Sequence, residues 1–325
     1  MTMVPAFVIS LDFELLWGVR DKRTIATYGK NILGAREAIP AMLKAFRRYD
    51  VKATWAAVGM LLFDQRDELL RHLPALRPTY ARRAIDPYLA LDEVGADEKS
   101  DPYHFGLSLV RQILACEGME LASHTFSHFY CLEEGQEASQ FKADLEASVA
   151  AITRLTDRPV SLVFPRNQYN PDYLALCAEL GFQAFRGNER AWMYRGAMDE
   201  RQSLLKRGAR LLDHYVPLSG HNGFAPQVES GLVDCPSSRF LRPVSKRFAM
   251  LEGVRMHRIK SAMAAAARSQ QCFHLWWHPH NFGADLRQSL AFLEELLRFH
   301  TGLRKRYGVV PMTMGEVARA TLSFS

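Results

Sequence analysis

Apolar positions along the chain alternate between short continuous runs and longer stretches at helical spacing. Residues 7–11 form a near-continuous apolar run, as expected of a strand covered on both faces. Ile39, Met42, Leu43 and Phe46 then recur at the period of a helix. The pattern predicts a second strand over 51–58, a helix over 107–116 and a third strand over 120–122. Phe141, Leu145, Val149 and Ile152 mark another amphipathic helix, and 160–164 another strand. Pro171 opens and Gly181 closes the next helix, before a strand at 182–185. A late strand is expected over 273–277. Asp285 stands where it caps a helix carrying Leu286, Leu290, Leu293 and Leu297. Two spans, 64–104 and 188–268, lose this rhythm and read as insertions. Strand–helix alternation implies an α/β fold with a mostly parallel sheet, and the length suits one large domain or two smaller ones.

Candidate chemistry collects where the strands end. Asp12 and Glu14 close the first strand and, two residues apart, face the same way. His124 and His128 follow the third strand, and a helical turn after Ser123 would bring them to one side. Ser123, Thr125 and Ser127 supply hydroxyls to fix such a turn. Arg166 follows the fourth strand, and His278 directly ends the last one. The C-terminal ends of strands are where α/β barrels and open α/β sheets place their sites. Two imidazoles with two carboxylates suggest a divalent metal site with a spare carboxylate beside it.

Composition narrows the class. The chain has 325 residues, 48% hydrophobic and 23% charged, enough to bury a sizeable core. Its net charge of +6 is scattered, and the densest cluster, Arg304-Lys305-Arg306, lies near an expected helix end. A nucleic-acid partner is therefore not expected. The five cysteines form no C-x-x-C pair, which argues for a reducing compartment. No stretch has the length a membrane span requires. The first apolar run is broken by Asp12 and Glu14 and does not read as an export signal, so cytoplasmic residence is the expectation.

The segment His124-Thr125-Phe126-Ser127-His128 matches the H-[ST]-x-x-H motif of the NodB-like polysaccharide deacetylases, carbohydrate esterase family four, and the chain resembles that family. Ser10-Leu11-Asp12-Phe13-Glu14 departs from the family's T-F-D-D-G and is closer to branches with D-x-D or D-x-E. Ala53-Thr54-Trp55-Ala56-Ala57-Val58-Gly59 and Thr313-Met314-Gly315-Glu316-Val317 are similar to further family segments. Phe164-Pro165-Arg166-Asn167-Gln168-Tyr169 keeps the arginine and aromatic of a third motif but moves the proline ahead of the arginine.

The resemblance implies a distorted (β/α) barrel with inserted cap regions, in a single domain over 1–325. It also implies a metal-dependent hydrolase that removes an N-acetyl group from an amino sugar. By the motif match Asp12 is the base and Glu14, His124 and His128 hold one divalent metal ion. Zinc is the first expectation, with cobalt, nickel, manganese or iron also suited. His278 would protonate the departing amine. Arg166 would orient Asp12 or hold an anionic substrate group, a backbone N–H near Tyr169 would stabilise the oxyanion, and Asn167 and His280 would line the substrate pocket. A cytoplasmic enzyme of this kind points to an O-antigen or capsule precursor, as a sugar nucleotide or lipid-linked glycan. The alternatives are an allantoinase-like or cyclic-imide hydrolase, and a sugar-binding homologue without activity.

Overall fold

The computed structural model describes residues 5–194, 204–244 and 246–323. Its first strand, β1 (Ala6–Phe13), is buried throughout. Phe7, Ile9, Leu11 and Phe13 face the large core, whereas Ala6 and Val8 face a smaller inner one. That period of two carries Ser10 and Asp12 to the inside as well. The outer residues pack beneath α1 (Ile25–Arg48), which buries Ile32, Ala35, Ile39, Met42 and Phe46. Thr24 starts α1 through a reciprocal capping box with Thr27.

The chain then alternates as the apolar pattern predicts. β2 (Ala53–Ala57), α2 (Arg66–Arg71), α3 (Leu107–Leu114), β3 (Met119–Ser123), α4 (Ala138–Thr153), β4 (Ser161–Leu162), α5 (Leu174–Glu179) and β5 (Ala184–Phe185) complete the first part. α6 (Leu204–Asp213), β6 (Gln227–Glu229), β7 (Leu232–Asp234), β8 (Arg239–Phe240) and α7 (Glu252–Arg268) follow. The chain closes with β9 (Phe273–Trp277), α8 (Leu286–Tyr307), β10 (Val310–Met312) and α9 (Met314–Leu322).

The strands form one mixed sheet in the order β6-β7-β5-β4-β3-β2-β1-β9-β8, with β10 pairing β1. All pairs are parallel except β6 with β7. The sheet curls into a distorted barrel. Cys235 and Ser237 donate to Phe185 and Gly187 on one side, and Ser238 and Leu241 to His274 and Trp276 on the other. One extended run, interrupted at Pro236, thus links β5 to β9. The inner core is built from small residues, among them Ala6, Ala56, Ala122, Val163, Ala184 and Val233. This leaves room for buried polar side chains. At the N-terminal ends of the strands, Met314, Val317 and Ala318 of α9 join that inner core. Glu120 accepts from Thr54, Ser161 and the Gly315 N–H there.

Two expectations change. The span 188–268 is not wholly an insertion, because β7 and β8 belong to the sheet; strands of two or three residues leave no periodicity to read. The span 64–104 does run outside the sheet and packs on the rim, where Tyr103 accepts from Leu16 N–H and His104 from the Trp17 indole. Asp285 stands at the start of α8, but its side chain makes no capping bond. Among the described residues, no helix is long and apolar enough to cross a membrane.

Candidate active site

Asp12 is the last inward residue of β1, and its neighbours determine its charge. Both carboxylate oxygens are held by the Arg186 guanidinium, at 2.6 and 2.7 Å. Such a fork-on-fork pair fixes orientation as well as charge. Burial pushes the Asp12 carboxyl up, but Arg186, His124 and His278 outweigh it and hold it below the usual range. Arg186 is itself positioned: it donates to Ser10 Oγ (3.0 Å) and Asn167 Oδ1 (3.0 Å) and lies 4.2 Å over the Trp276 ring. Ser10 Oγ pairs with His274 Nε2, whose Nδ1 faces the Cys235 carbonyl. His274 is fully buried, and burial pushes its imidazole down to about 3, so it packs there neutral.

Glu14 lies past the strand end, with Leu15 in the left-handed region at φ 47°. Its Oε2 is 3.1 Å from His128 Nε2 and 3.5 Å from His124 Nε2. The histidines do not reach this point on a helix. They sit on a loop in which Thr125 and His128 both take φ 60°. A β-branched residue in that region costs energy and persists only where its surroundings over-determine it. Here Ser123 Oγ accepts from Thr125 N–H, and Thr125 Oγ1 accepts from Phe129 N–H. Asp144 of α4 accepts from the N–H groups of Phe126 and Ser127 and from the Ser127 hydroxyl. Gly59 N–H donates to the Thr125 carbonyl from the other side. A Cβ at Gly59 would lie 2.6 Å from the Phe126 ring, so only glycine fits.

One ligand atom each from Glu14, His124 and His128 lies within 4.8 Å of the others. His124 faces the Val163 carbonyl through Nδ1 (2.8 Å), which leaves Nε2 as the lone-pair nitrogen. That Nε2 is buried with no hydrogen-bond partner. Burial pushes the His128 imidazole down to about 4, so it is neutral near pH 7. Burial pushes the Glu14 carboxyl up, but His278, His124 and His128 outweigh it and hold it well below its usual range. A carboxylate and two imidazoles converging on one point, with the Nε2 of His124 orphaned, fit a divalent cation.

His278 completes the inward series His274, Trp276, His278 along β9 and beyond. Its Nε2 is 3.6 Å from Glu14 Oε1 and 3.8 Å from Asp12 Oδ2, and its side chain is 23% exposed. His280 stacks on it at 5.1 Å but is buried, and burial pushes it down to about 3. The turn bearing both packs on α1, where a Cβ on Gly34 would come within 2.3 Å of Gly283 Cα.

These groups open into a cavity of about 400 Å³ lined by Asp12, Glu14, Arg166, Asn167, His278 and His280. Tyr28, Phe240 and Trp276 add aromatic faces. Two expectations are altered, since Arg186 rather than Arg166 orients Asp12 and the Tyr169 side chain turns away from the cavity. Arg166 lines the cavity, but its guanidinium engages Asp21 (2.5 Å) and lies over Tyr130; the arginine on Asp12 is Arg186. Tyr169 packs against Phe164 and Phe185 and does not line the cavity. The N–H groups of Asn167 and Gln168 beside it already donate to Phe164 and Pro165. Sequence reasoning also missed Tyr28 and Asp144. Asp144 carried a signal, because it shares a helical face with Phe141, Leu145 and Ser148.

A sequence model described as polysaccharide deacetylase matches residues 20–185. The chain belongs to the polysaccharide deacetylase family. The matched span holds both histidines of the loop, whereas Asp12, Glu14 and His278 fall outside it. Among proteins of curated function, none matches the sequence. Solved structures share the deacetylase fold. A putative polysaccharide deacetylase from Mycobacterium smegmatis is 15% identical with a TM-score of 0.62, covering 100% of this chain and 94% of that one. A probable polysaccharide deacetylase from Pseudomonas aeruginosa PAO1 is 14% identical at 0.59, covering 98% and 91%. The Puue allantoinase is 13% identical at 0.58, covering 99% and 91%.

Proposed function

We propose that this family member is a metal-dependent N-deacetylase acting on an acetylated amino sugar of a surface-polysaccharide precursor, such as an O-antigen or capsule intermediate. The observation that carries the reading is the division of labour between two buried acids two residues apart. Asp12 is clamped by Arg186, while Glu14 converges with His124 and His128 on one point. Glu14, His124 and His128 would hold one divalent ion, zinc by preference, and that ion supplies Lewis-acid polarisation of the amide carbonyl.

The chain's own groups do the rest. Arg186 keeps Asp12 ionised and fixes its lone pairs, so Asp12 can take the proton of an attacking water. His278 stands on the open side of the cavity and donates a proton to the departing amine, which otherwise leaves poorly. His280, buried and neutral, holds the His278 ring by stacking. Tyr28, Phe240 and Trp276 offer apolar faces on which a sugar ring can lie. An enzyme resident in the cytoplasm would meet a sugar nucleotide or lipid-linked glycan rather than finished polymer.

The test is acetate release by the metal-loaded protein. Release from N-acetylglucosamine derivatives, with none of the ring-opened product from allantoin or a cyclic imide, supports the reading. Ring opening without acetate release would move the protein to the allantoinase-like alternative. Metal binding with neither reaction would favour a sugar-binding homologue.

A further inference from the structure

The Glu14 carboxylate lies back over its own loop. A Cβ at Gly18 would fall 1.9 Å from the Glu14 Cδ, and 2.2 and 2.3 Å from its two oxygens, the closest approach at any described glycine. The carboxylate therefore occupies the space that a side chain at 18 would need. From that space its Oε2 reaches His128 Nε2 at 3.1 Å and His124 Nε2 at 3.5 Å. The turn that brings the two residues together is tight: Trp17 N–H donates to the Glu14 carbonyl, and Leu15 takes φ 47°.

If residue 18 carried a methyl group, either the backbone or the carboxylate would have to give way. The backbone is pinned on both sides. Leu16 N–H donates to the Tyr103 carbonyl and the Trp17 indole to the His104 carbonyl. Arg20 donates to the carbonyls of Trp17 and Ile85. The carboxylate, by contrast, is the far end of a flexible side chain. The catalytic cavity of about 400 Å³ lies beside it, and His278 Nε2 already stands 3.6 Å from its Oε1. The carboxylate is what moves. Relieving a 1.9 Å approach to ordinary contact near 3.5 Å takes a shift of roughly 1.5 Å. Metal–ligand distances tolerate only about 0.2 Å. A methyl at 18 thus costs the fold little and removes the one carboxylate from the three converging groups.

We propose that Gly18 is a positioning residue for metal binding, acting through Glu14: its missing side chain is what allows the carboxylate to join His124 and His128. The inference rests on the reading that these three residues hold a divalent ion. It makes Glu14 and Gly18 a coupled pair, in which the glutamate serves as a ligand only while residue 18 has no Cβ. Any larger residue at 18, serine included, should act as alanine does, because the first added carbon already takes the carboxylate's place.

The test is a calorimetric titration of the full chain with zinc, with a thermal melt of the metal-free protein beside it. Gly18→Ala should weaken zinc binding by roughly 100-fold or more, beyond the loss of an outer partner, and leave the melt unchanged. In a Glu14→Ala background the same substitution should change nothing further, because the methyl has no carboxylate to displace. A melt lowered by Gly18→Ala only when Glu14 is present would still place the collision at the carboxylate. A melt lowered in both backgrounds would place it in the backbone and overturn the proposal. So would an equal further loss of zinc affinity in the Glu14→Ala background. Zinc bound by the wild type and equally by Gly18→Ala would overturn this inference alone, whereas a wild type that binds no zinc would overturn the metal reading with it.

Discussion

The histidine loop over 123–131 and the α6 segment over 204–220 both flank the catalytic mouth, and they are built on opposite rules. In the loop, polar groups turn inward and find partners: Ser123, Thr125 and Asp144 between them hold five backbone or hydroxyl donors. In α6 Leu205, Leu211 and Leu212 turn outward and stay exposed. The loop tolerates two non-glycine residues at φ 60° because that network and Gly59 hold it from both sides. α6 keeps its leucines outside while its inward side is tied down by the Asp213–Arg239 salt bridge. The first is a violation of local preference sustained by the protein's own packing. The second is an exposed apolar face on a helix whose polar side is the buried one. Substitutions that separate the two follow, from the largest expected effect to the smallest.

Replacing a converging imidazole should do the most. His124→Ala or His128→Ala should abolish the binding of about one divalent ion per chain, with an affinity loss beyond the roughly 100-fold typical of losing an outer partner. Metal analysis alongside circular dichroism checks this, and the fold should remain. Full metal occupancy in both variants would refute the assignment.

Gly34→Ala comes next, because its methyl would collide with Gly283 and shift the turn that bears His278 and His280. A displacement of about 1 Å in a proton donor costs up to roughly 10²-fold in rate. kcat should fall while metal content is unchanged. A variant with normal kcat would show that this turn has slack.

Asp144 gives a smaller effect, read as a pH dependence. Burial pushes its carboxyl up to about 7, against the downward pull of Ser127 and the two N–H groups. The folded protein thus keeps this proton to about pH 7, whereas the unfolded chain releases it near the ordinary value of 3.8. The contribution to stability is full below 3.8, declines as pH rises, and is lost above about 7. Urea midpoints at about pH 5 and about pH 8 should therefore differ more in the wild type than in Asp144→Asn. Equal differences would remove Asp144 from the pH response.

Leu211→Asp should be the mildest for the fold. An exposed substitution away from packed features stays within about 0.5 kcal/mol. A drop of several kcal/mol in a urea melt would mean that the outward face of α6 is covered within the chain.

Much of this site was legible from the chain because strand ends concentrate chemistry. Asp12, Glu14, His124 and His278 all stand at the ends of expected strands, and the structure brings them together around Glu14. The same rule points to Arg186, which directly follows the strand Ala184–Phe185; the segment resembling a third motif draws attention to Arg166 instead. The helical turn expected after Ser123 failed because side-chain hydroxyls and Asp144 satisfy the loop's N–H groups, which removes the need for helical bonds. β7 and β8 were missed because the barrel closes through a broken run around Pro236, too short on either side to alternate.

The measurement that tests the account most directly pairs acetate release with metal content in Asp12→Asn. Asparagine keeps the size of the side chain but cannot take a proton, and it sits in the Arg186 clamp rather than among the three converging ligands. Wild-type metal occupancy with activity lowered by roughly 10²-fold or more is the predicted result. An Asp12→Asn protein that loses its metal, or one that keeps its metal and hydrolyses acetylated amino sugars at the wild-type rate, would contradict the division of roles between the two acids.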